Sequence, residues 1–450
     1  VMKRILMALA ALVLVTVQPA RAQQILRDAE TEALFEDMSR PLIEAAGLDP
    51  RNVRIVLIND PEINAFVAGS QAVYVHSGLI HAADNANEVQ GVIAHELGHV
   101  AGGHVPLSGQ MMQGATGMTL LSLVLGVAAI AAGAGEAGAG ILMAGQQAAM
   151  GSFLAFSRMQ ESQTDAAGAR YLNAAGISGE GLLEFYKKLQ NREYRLAIPQ
   201  NMGYARTHPM SNERIANLTQ TLSSGPGWKK PTPPAIEARF RRVQAKLRGY
   251  VYDSKATLRQ YPESDASVPA HYARAYAYHR SGYPDQAAAS TAALVRTAPK
   301  DPYFLELQGQ ILLESGKPRE ALAPLREATE ATRYQPLIAT TFGHALLATE
   351  DPKHLEEAEK VLRQAVARDD RNPFAWQQLG AVYDRRGDQP RLALATAEMA
   401  SLTNDPMRAL VSARAAMAGL PPNTPEYIRA QDIQMTAEVA VEEQKRNRRR

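Results

Sequence analysis

The constraint that most limits this chain is a spacing in its second half. Pro269, Pro302, Pro336, Pro373 and Pro406 are separated by 33, 34, 37 and 33 residues. Gly309, Gly343 and Gly380 each follow one of these prolines by seven residues. Further glycines recur at Gly282, Gly316 and Gly387, with small residues after them at Ala287, Ala321, Ala358 and Ala393. Proline stops one helix before the next begins. Glycine supplies a turn or a close helix crossing. A period near 34 residues therefore reads as helical pairs that stack into a solenoid, with a concave face suited to peptides or proteins.

The first half carries different signals. Val53 to Asn59 is rich in β-branched residues and predicts a strand. Asn64 to Val67 and Ala72 to His76 flank Gly69 and predict a hairpin, whereas Ile25 to Ala46 has helical periodicity. The Pro- and Gly-rich stretch 223–234 is expected to be a linker between a domain over 23–222 and the repeats over 235–450. The expected fold is mostly α, with an α+β domain ahead of an α-solenoid.

Residues 1–22 read as a signal peptide, with Lys3 and Arg4 before an apolar run and a cleavage site near Ala22. Export in a bacterial setting would place the mature chain in the periplasm. The chain has no cysteine, so disulfides, thiolate metal sites and cysteine nucleophiles are excluded. A net charge of +2 gives no general pull toward nucleic acid.

The strongest chemical motif is His95-Glu96-Leu97-Gly98-His99. Asn85 and Glu88 form a capping-box pattern before it, and Val89, Val92, Ile93, Leu97 and Val100 make a buried stripe. Histidines four apart project from one helix face and can share a zinc ion, with Glu96 beside them as general base. A third ligand is needed. His104 falls one residue short of the extended HExxHxxGxxH spacing and is set aside for a helix-end or supporting role. Glu161 is the better candidate, with Asp165 one turn on to orient a ligand histidine. An ordinary exposed carboxylate pair remains the competing reading. His208, before Pro209, is either surface polarity, an oxyanion donor or a cap on the metal.

Val105 to Ser157 has Glu136 as its only charge. It reads as an apolar hairpin touching membrane, a buried hairpin or a spanning helix.

Together, His95-Glu96-x-x-His99, Glu161-x-x-x-Asp165, Arg206-Thr207-His208-Pro209 and the repeats resemble the BepA-type periplasmic metalloproteases, of the HtpX/Ste-type gluzincin group. The repeat pattern itself is similar to the tetratricopeptide motif. The resemblance covers essentially the whole mature chain. It implies a zincin-type domain with one Zn2+ held by His95, His99 and Glu161, Glu96 as base, and His208 able to close the site. It also implies that Asn64, Ala65 and Phe66 line the substrate cleft. Relatives often carry an acidic residue at the position of Gln163 and alanine at that of Thr164. Expected partners are unfolded or misassembled envelope proteins and an outer-membrane assembly complex bound by the repeats, with peripheral membrane contact through 105–157. The alternative is a chaperone or adaptor with a secondary or autoinhibited protease site.

Overall fold

The computed structural model describes residues 24–69, 71–104, 121–125, 135–196, 208 and 211–448. The signal-peptide segment and much of the apolar stretch 105–134 lie outside these residues. Compact packing divides the chain into two units. The first holds Phe35–Glu237 and the strand before it; the second holds Arg27–Leu34 and Ala238–Arg450.

In the first unit, β1 (Gln24–Leu26), β2 (Arg54–Asn59), β3 (Ala65–Ala68) and β4 (Ala72–His76) form one sheet in the order β1-β2-β4-β3. β4 runs parallel to β2, from Arg54 opposite Ala72 to Ile58 opposite His76. β3 returns antiparallel to β4 around Gly69, whose φ of 68° needs a residue without a side chain. β3 is therefore an edge of the sheet. Gln24–Leu26 pairs antiparallel with β2, so the first residues of the segment read as helical are strand instead. Pairing with a partner more than 30 residues away overrides local periodicity there. The helix α1 follows as Ala29–Ala45.

Four helices complete the site's surroundings: α2 (Ser77–Ala82), α3 (Ala86–Ala101), α4 (Gly135–Ala175) and α5 (Glu180–Leu196). The Asn85 side chain accepts from Glu88 N, and Glu88 reaches back to Asp84 N, which starts α3 as the capping pattern requires. α3 is buried from Ala86 to Gly98. Gly91 lets α5 approach closely, since a carbon there would lie 2.8 Å from Leu182 backbone atoms. Asn87 completes the contact by accepting from Gly181 N and donating to Ser178 O.

α4 runs unbroken for 41 residues, taking in the end of the apolar segment and the Glu161–Asp165 motif. A helical piece at 121–125 meets it where Ser122 packs on Gly145. Leu121, Leu123, Val124, Leu125 and Met143 are exposed there. Among the described residues no helix is long and apolar enough to cross a membrane.

α6 (Asn212–Ser223) follows in the first unit. The stretch taken as a linker is docked: Gly225 and Gly227 lie against Asn173 and the Ile177 carbonyl. The division between units falls after Glu237, inside α7 (Pro234–Val251).

The second unit is the helical array. Its pairs are α9 (Val268–Arg280) with α10 (Pro284–Thr297), α11 (Pro302–Glu314) with α12 (Pro318–Ala331), α13 (Pro336–Ala348) with α14 (Leu355–Arg368), and α15 (Pro373–Arg386) with α16 (Gln389–Leu402), after the short α8 (Ser254–Gln260). α17 (Pro406–Gly419) and α18 (Pro425–Arg448) close it. Most periodic prolines sit in the first helical turn behind an Asp, Asn, Gln or Ser cap, where their missing N–H costs nothing. Gly309 and Gly343 touch Leu325 and Leu362, and Gly282, Gly316 and Gly387 are left-handed turns. The one long interval has a local cause: a 3₁₀ turn, Pro352–His354, precedes α14. Ala287, Ala321 and Ala358 are fully buried, but in the last pair Ala395 rather than Ala393 takes that place.

Arg27–Leu34 belongs to this unit, although the sequence reading put it with the first. Ala29 packs with Leu305, Ala328 and Ile338. Glu30 is buried, accepts from the Tyr272 hydroxyl at 2.8 Å and pairs with Arg242 at 2.7 Å. Asp28 lies 2.5 Å from Lys246 Nζ. Glu306 joins this cluster with a shielded Oε2 that has no hydrogen-bond partner among the described residues. Burial, only partly offset by Lys246, carries its carboxyl from 4.5 up to about 8. The native chain therefore holds a proton there that the unfolded chain releases. This unit should lose stability as pH rises from about 4.5 through about 8. Urea unfolding followed by Trp376 fluorescence in a Trp228→Phe background should show that decline, and Glu306→Gln should flatten it.

Candidate metal centre

Two helices bring the ligating groups together. α3 and α4 cross where Gly98 faces Thr164 and Gly168 faces Ala94 and His95. A side-chain carbon on Gly98 would come within 2.9 Å of the Thr164 carbonyl oxygen. Short carboxylates on α4 can reach imidazoles on α3 only because both helices lack bulk at this crossing.

His95, His99, Glu161 and His208 converge. His95 Nε2 and His99 Nε2 are 3.3 Å apart. Glu161 places one oxygen 3.4 Å from His95 Nε2 and the other 3.3 Å from His99 Nε2. His208 Nδ1 lies 3.2 Å from both His95 Nε2 and Glu161. A tetrahedral zinc site with bonds of about 2.0–2.1 Å has edges of about 3.3 Å between donor atoms. The donor set and its spacing both fit such an ion.

Charge points the same way. Glu96, Glu161 and Asp165 are buried around this point, with Arg214 the buried guanidinium beside them. With the imidazoles neutral, as metal ligation requires, one positive and three negative groups give a formal balance of −2, which a divalent cation would neutralise. Among the described residues, neither oxygen of the fully buried Glu96 carboxylate accepts an aligned hydrogen bond, although His208 Nε2 is 3.3 Å from Oε1. An unmatched buried carboxylate is costly unless a ligand or solvent group completes it.

The supporting contacts are specific. Asp165 Oδ1 sits 2.9 Å from His95 Nδ1, the nitrogen facing away from the convergence point. Such a contact fixes the tautomer and aims the other nitrogen. Arg214 forks onto Asp165 at 2.6 and 2.9 Å and also lies 3.0 Å from Glu161. The Tyr186 hydroxyl donates to Asp165 at 3.3 Å. His104 Nδ1 is 2.9 Å from His99 Nδ1 and 3.1 Å from the Thr164 hydroxyl. His104 thus backs His99 and stays outside the convergent set.

These neighbours set the protonation behaviour. Burial pulls the His95 imidazole down, but Asp165 and Glu161 outweigh it and carry it up to about 9. Burial pushes Glu161 up, yet His208, His95 and His99 hold it well below the usual carboxylate range. Asp165 is likewise held low, with Arg214 and His95 overcoming burial. Burial lowers His99 and His104. The pocket favours positive charge between the imidazoles and Glu161.

Among the substrate-strand candidates, the Asn64 and Ala65 side chains are buried. Only their backbone is offered to a partner, and the Ala65 carbonyl lies 3.3 Å from His208 Nε2. Phe66 is partly exposed and stacks on Tyr74 with ring centres 5.2 Å apart. Arg206, Thr207 and Pro209, which flank His208, lie outside the described residues. Sequence reasoning missed Arg214 and Tyr186. The available signal for Arg214 was its place in the first turn after the Ser211 cap, three residues past that cap and five past Pro209.

Residues 26–222 match Peptidase family M48. A protease HtpX homologue of Pelotomaculum thermopropionicum is 32% identical over 238 residues, covering 48% of this chain and 77% of that protein. The chain belongs to peptidase family M48. As a member of that family it is a metalloprotease that uses a divalent metal. Two longer matches are the beta-barrel assembly-enhancing proteases of Yersinia pestis and Escherichia coli K12, each 24% identical. The first alignment covers 77% of this chain and 71% of the relative, the second 68% and 62%.

Asp165→Asn leaves the ligands in place but weakens the aim of His95. Metal affinity is expected to fall about 10- to 100-fold, read by competition with a chromophoric chelator; unchanged affinity would remove Asp165 from this role.

Proposed function

We propose that the chain is a zinc-dependent endopeptidase of the bacterial cell envelope, acting in quality control and assembly of exported or outer-membrane proteins. The convergence of His95, His99 and Glu161 at the edge lengths of a tetrahedral site carries this reading. These three residues would hold the ion. When bound, zinc supplies Lewis acidity toward water and the substrate carbonyl. Glu96, buried and without an aligned partner, takes the proton of the attacking water and passes it to the leaving amine. The edge strand β3 offers backbone to an extended substrate, a largely sequence-blind mode of recognition.

His208 stands at the fourth corner of the site, next to Glu161, Glu96 and the Ala65 carbonyl. Catalysis needs an open position there. His208 in this placement keeps the protease at rest, and its withdrawal opens the site.

The relatives' printed name supports the cellular role, and a cleaved signal peptide and periplasmic location accord with it. The repeats would bind substrate or an assembly partner. A groove lined by Trp376, Leu379, Tyr383 and Leu394, with Arg391 and Arg429 beside Glu426 and Asp432, suits an extended peptide. The exposed Leu121, Leu123, Val124 and Met143 favour peripheral membrane contact. Closure by His208 also favours a second reading, a chaperone or adaptor in which proteolysis is secondary.

Glu96→Gln should bind zinc normally and cleave an unfolded protein at least 100-fold more slowly, consistent with general-base contributions of about 10²–10⁴. Persistent cleavage would overturn the assignment of the base. His208→Ala should retain zinc and raise basal cleavage several-fold; a loss of activity with metal retained would instead make His208 a transition-state donor. Wild type that never cleaves, yet still protects envelope integrity in cells, would favour the chaperone reading.

A further inference from the structure

We infer that Asp60, Glu62 and His76 form a second divalent-metal site, separate from the catalytic centre. Their ligating atoms all lie within 4.8 Å of one another. His76 is 1% exposed, and among the described residues neither ring nitrogen has an aligned hydrogen-bond partner. A buried imidazole left bare on both sides is unusual, because burial of polar atoms without partners is costly. Its Nδ1 faces Asp60 Oδ1 at 3.6 Å.

The carboxylates are preset. Glu62 N donates to Asp60 Oδ1 at 2.8 Å. The Asp60 backbone is clamped to the start of α2: its carbonyl accepts from Gly78 N and the Ser77 hydroxyl, and its N–H donates to Ser77 Oγ. Gly78 makes room for this loop, since a side-chain carbon there would overlap the Pro61 and Glu62 carbonyls. Both carboxylates remain partly exposed, so an ion can enter from solvent.

One imidazole with two carboxylates suits a transition-metal ion such as Zn2+ better than Ca2+ or Mg2+, which prefer all-oxygen sets. The bound ion would tie the loop 60–62 to the end of β4. That loop leads into Asn64, whose carbonyl accepts from His76 N, and then into β3. The second ion would therefore brace the edge strand that faces His208.

The test is zinc stoichiometry of the metal-free full chain, titrated against a competing chromophoric chelator. Wild type should take up two equivalents. Asp60→Asn combined with Glu62→Gln should lose one and keep the other; Asn at 60 retains the oxygen that accepts from Glu62 N. His95→Ala combined with His99→Ala should also retain one, held by the second site. Saturation of wild type at one equivalent that depends on His95 and His99 would overturn the second site while leaving the catalytic one standing. Two equivalents retained by the Asp60/Glu62 variant would overturn it as well.

Discussion

Everything chemical in this chain depends on how closely α3 and α4 cross. Imidazoles on one helix and a carboxylate on another can share an ion only if the backbones nearly touch. Gly98 and Gly168 permit that approach from opposite sides. A methyl group at Gly98 would press on the Thr164 backbone and shift Glu161, one turn away, from its place between His95 and His99. The packing rule and the chemistry are here the same constraint. α5 adds a second close contact at Gly91, so α3 is held on two faces and its histidines have little freedom to wander.

Around that crossing the protein has arranged a graded set of charges. Arg214 pins Asp165, Asp165 aims His95, and Glu161 is shared among three imidazoles. Buried carboxylates at this density would repel one another strongly without compensation. The guanidinium offsets part of the excess, and a divalent ion held there would offset the rest. Metal binding and folding would thereby be coupled in this region.

The sequence made some of this legible and hid the rest for physical reasons. The capping pair Asn85 and Glu88, the apolar stripe and the four-residue histidine spacing are local, so α3 could be read directly. Glu161 and Asp165 share a helix face by spacing, but their meeting with His95 is a long-range fact that periodicity does not encode. Arg214 looks in sequence like any arginine near a helix start; its burial depends on three other segments. The same holds for Arg27–Leu34. Asp28 and Glu30 read as ordinary acidic residues at a helix N-terminus, and only their partners Lys246, Arg242 and Tyr272 reveal a place among the repeats. In the repeats, by contrast, each helix pair meets its neighbours in order, so a regular interval sufficed, and the 3₁₀ turn at Pro352–His354 explains the one irregular step.

The length of α4 has a mechanical corollary. Met143, on the exposed apolar surface, and Glu161, in the convergent His/Glu cluster, ride on one uninterrupted helix. At about 1.5 Å per residue they are roughly 27 Å apart along a stiff rod. A push along that axis at the oily end would be carried by the helix toward the crossing that holds the carboxylate. Whatever grips the outer stretch thus has a handle on the coordination geometry without entering the cleft.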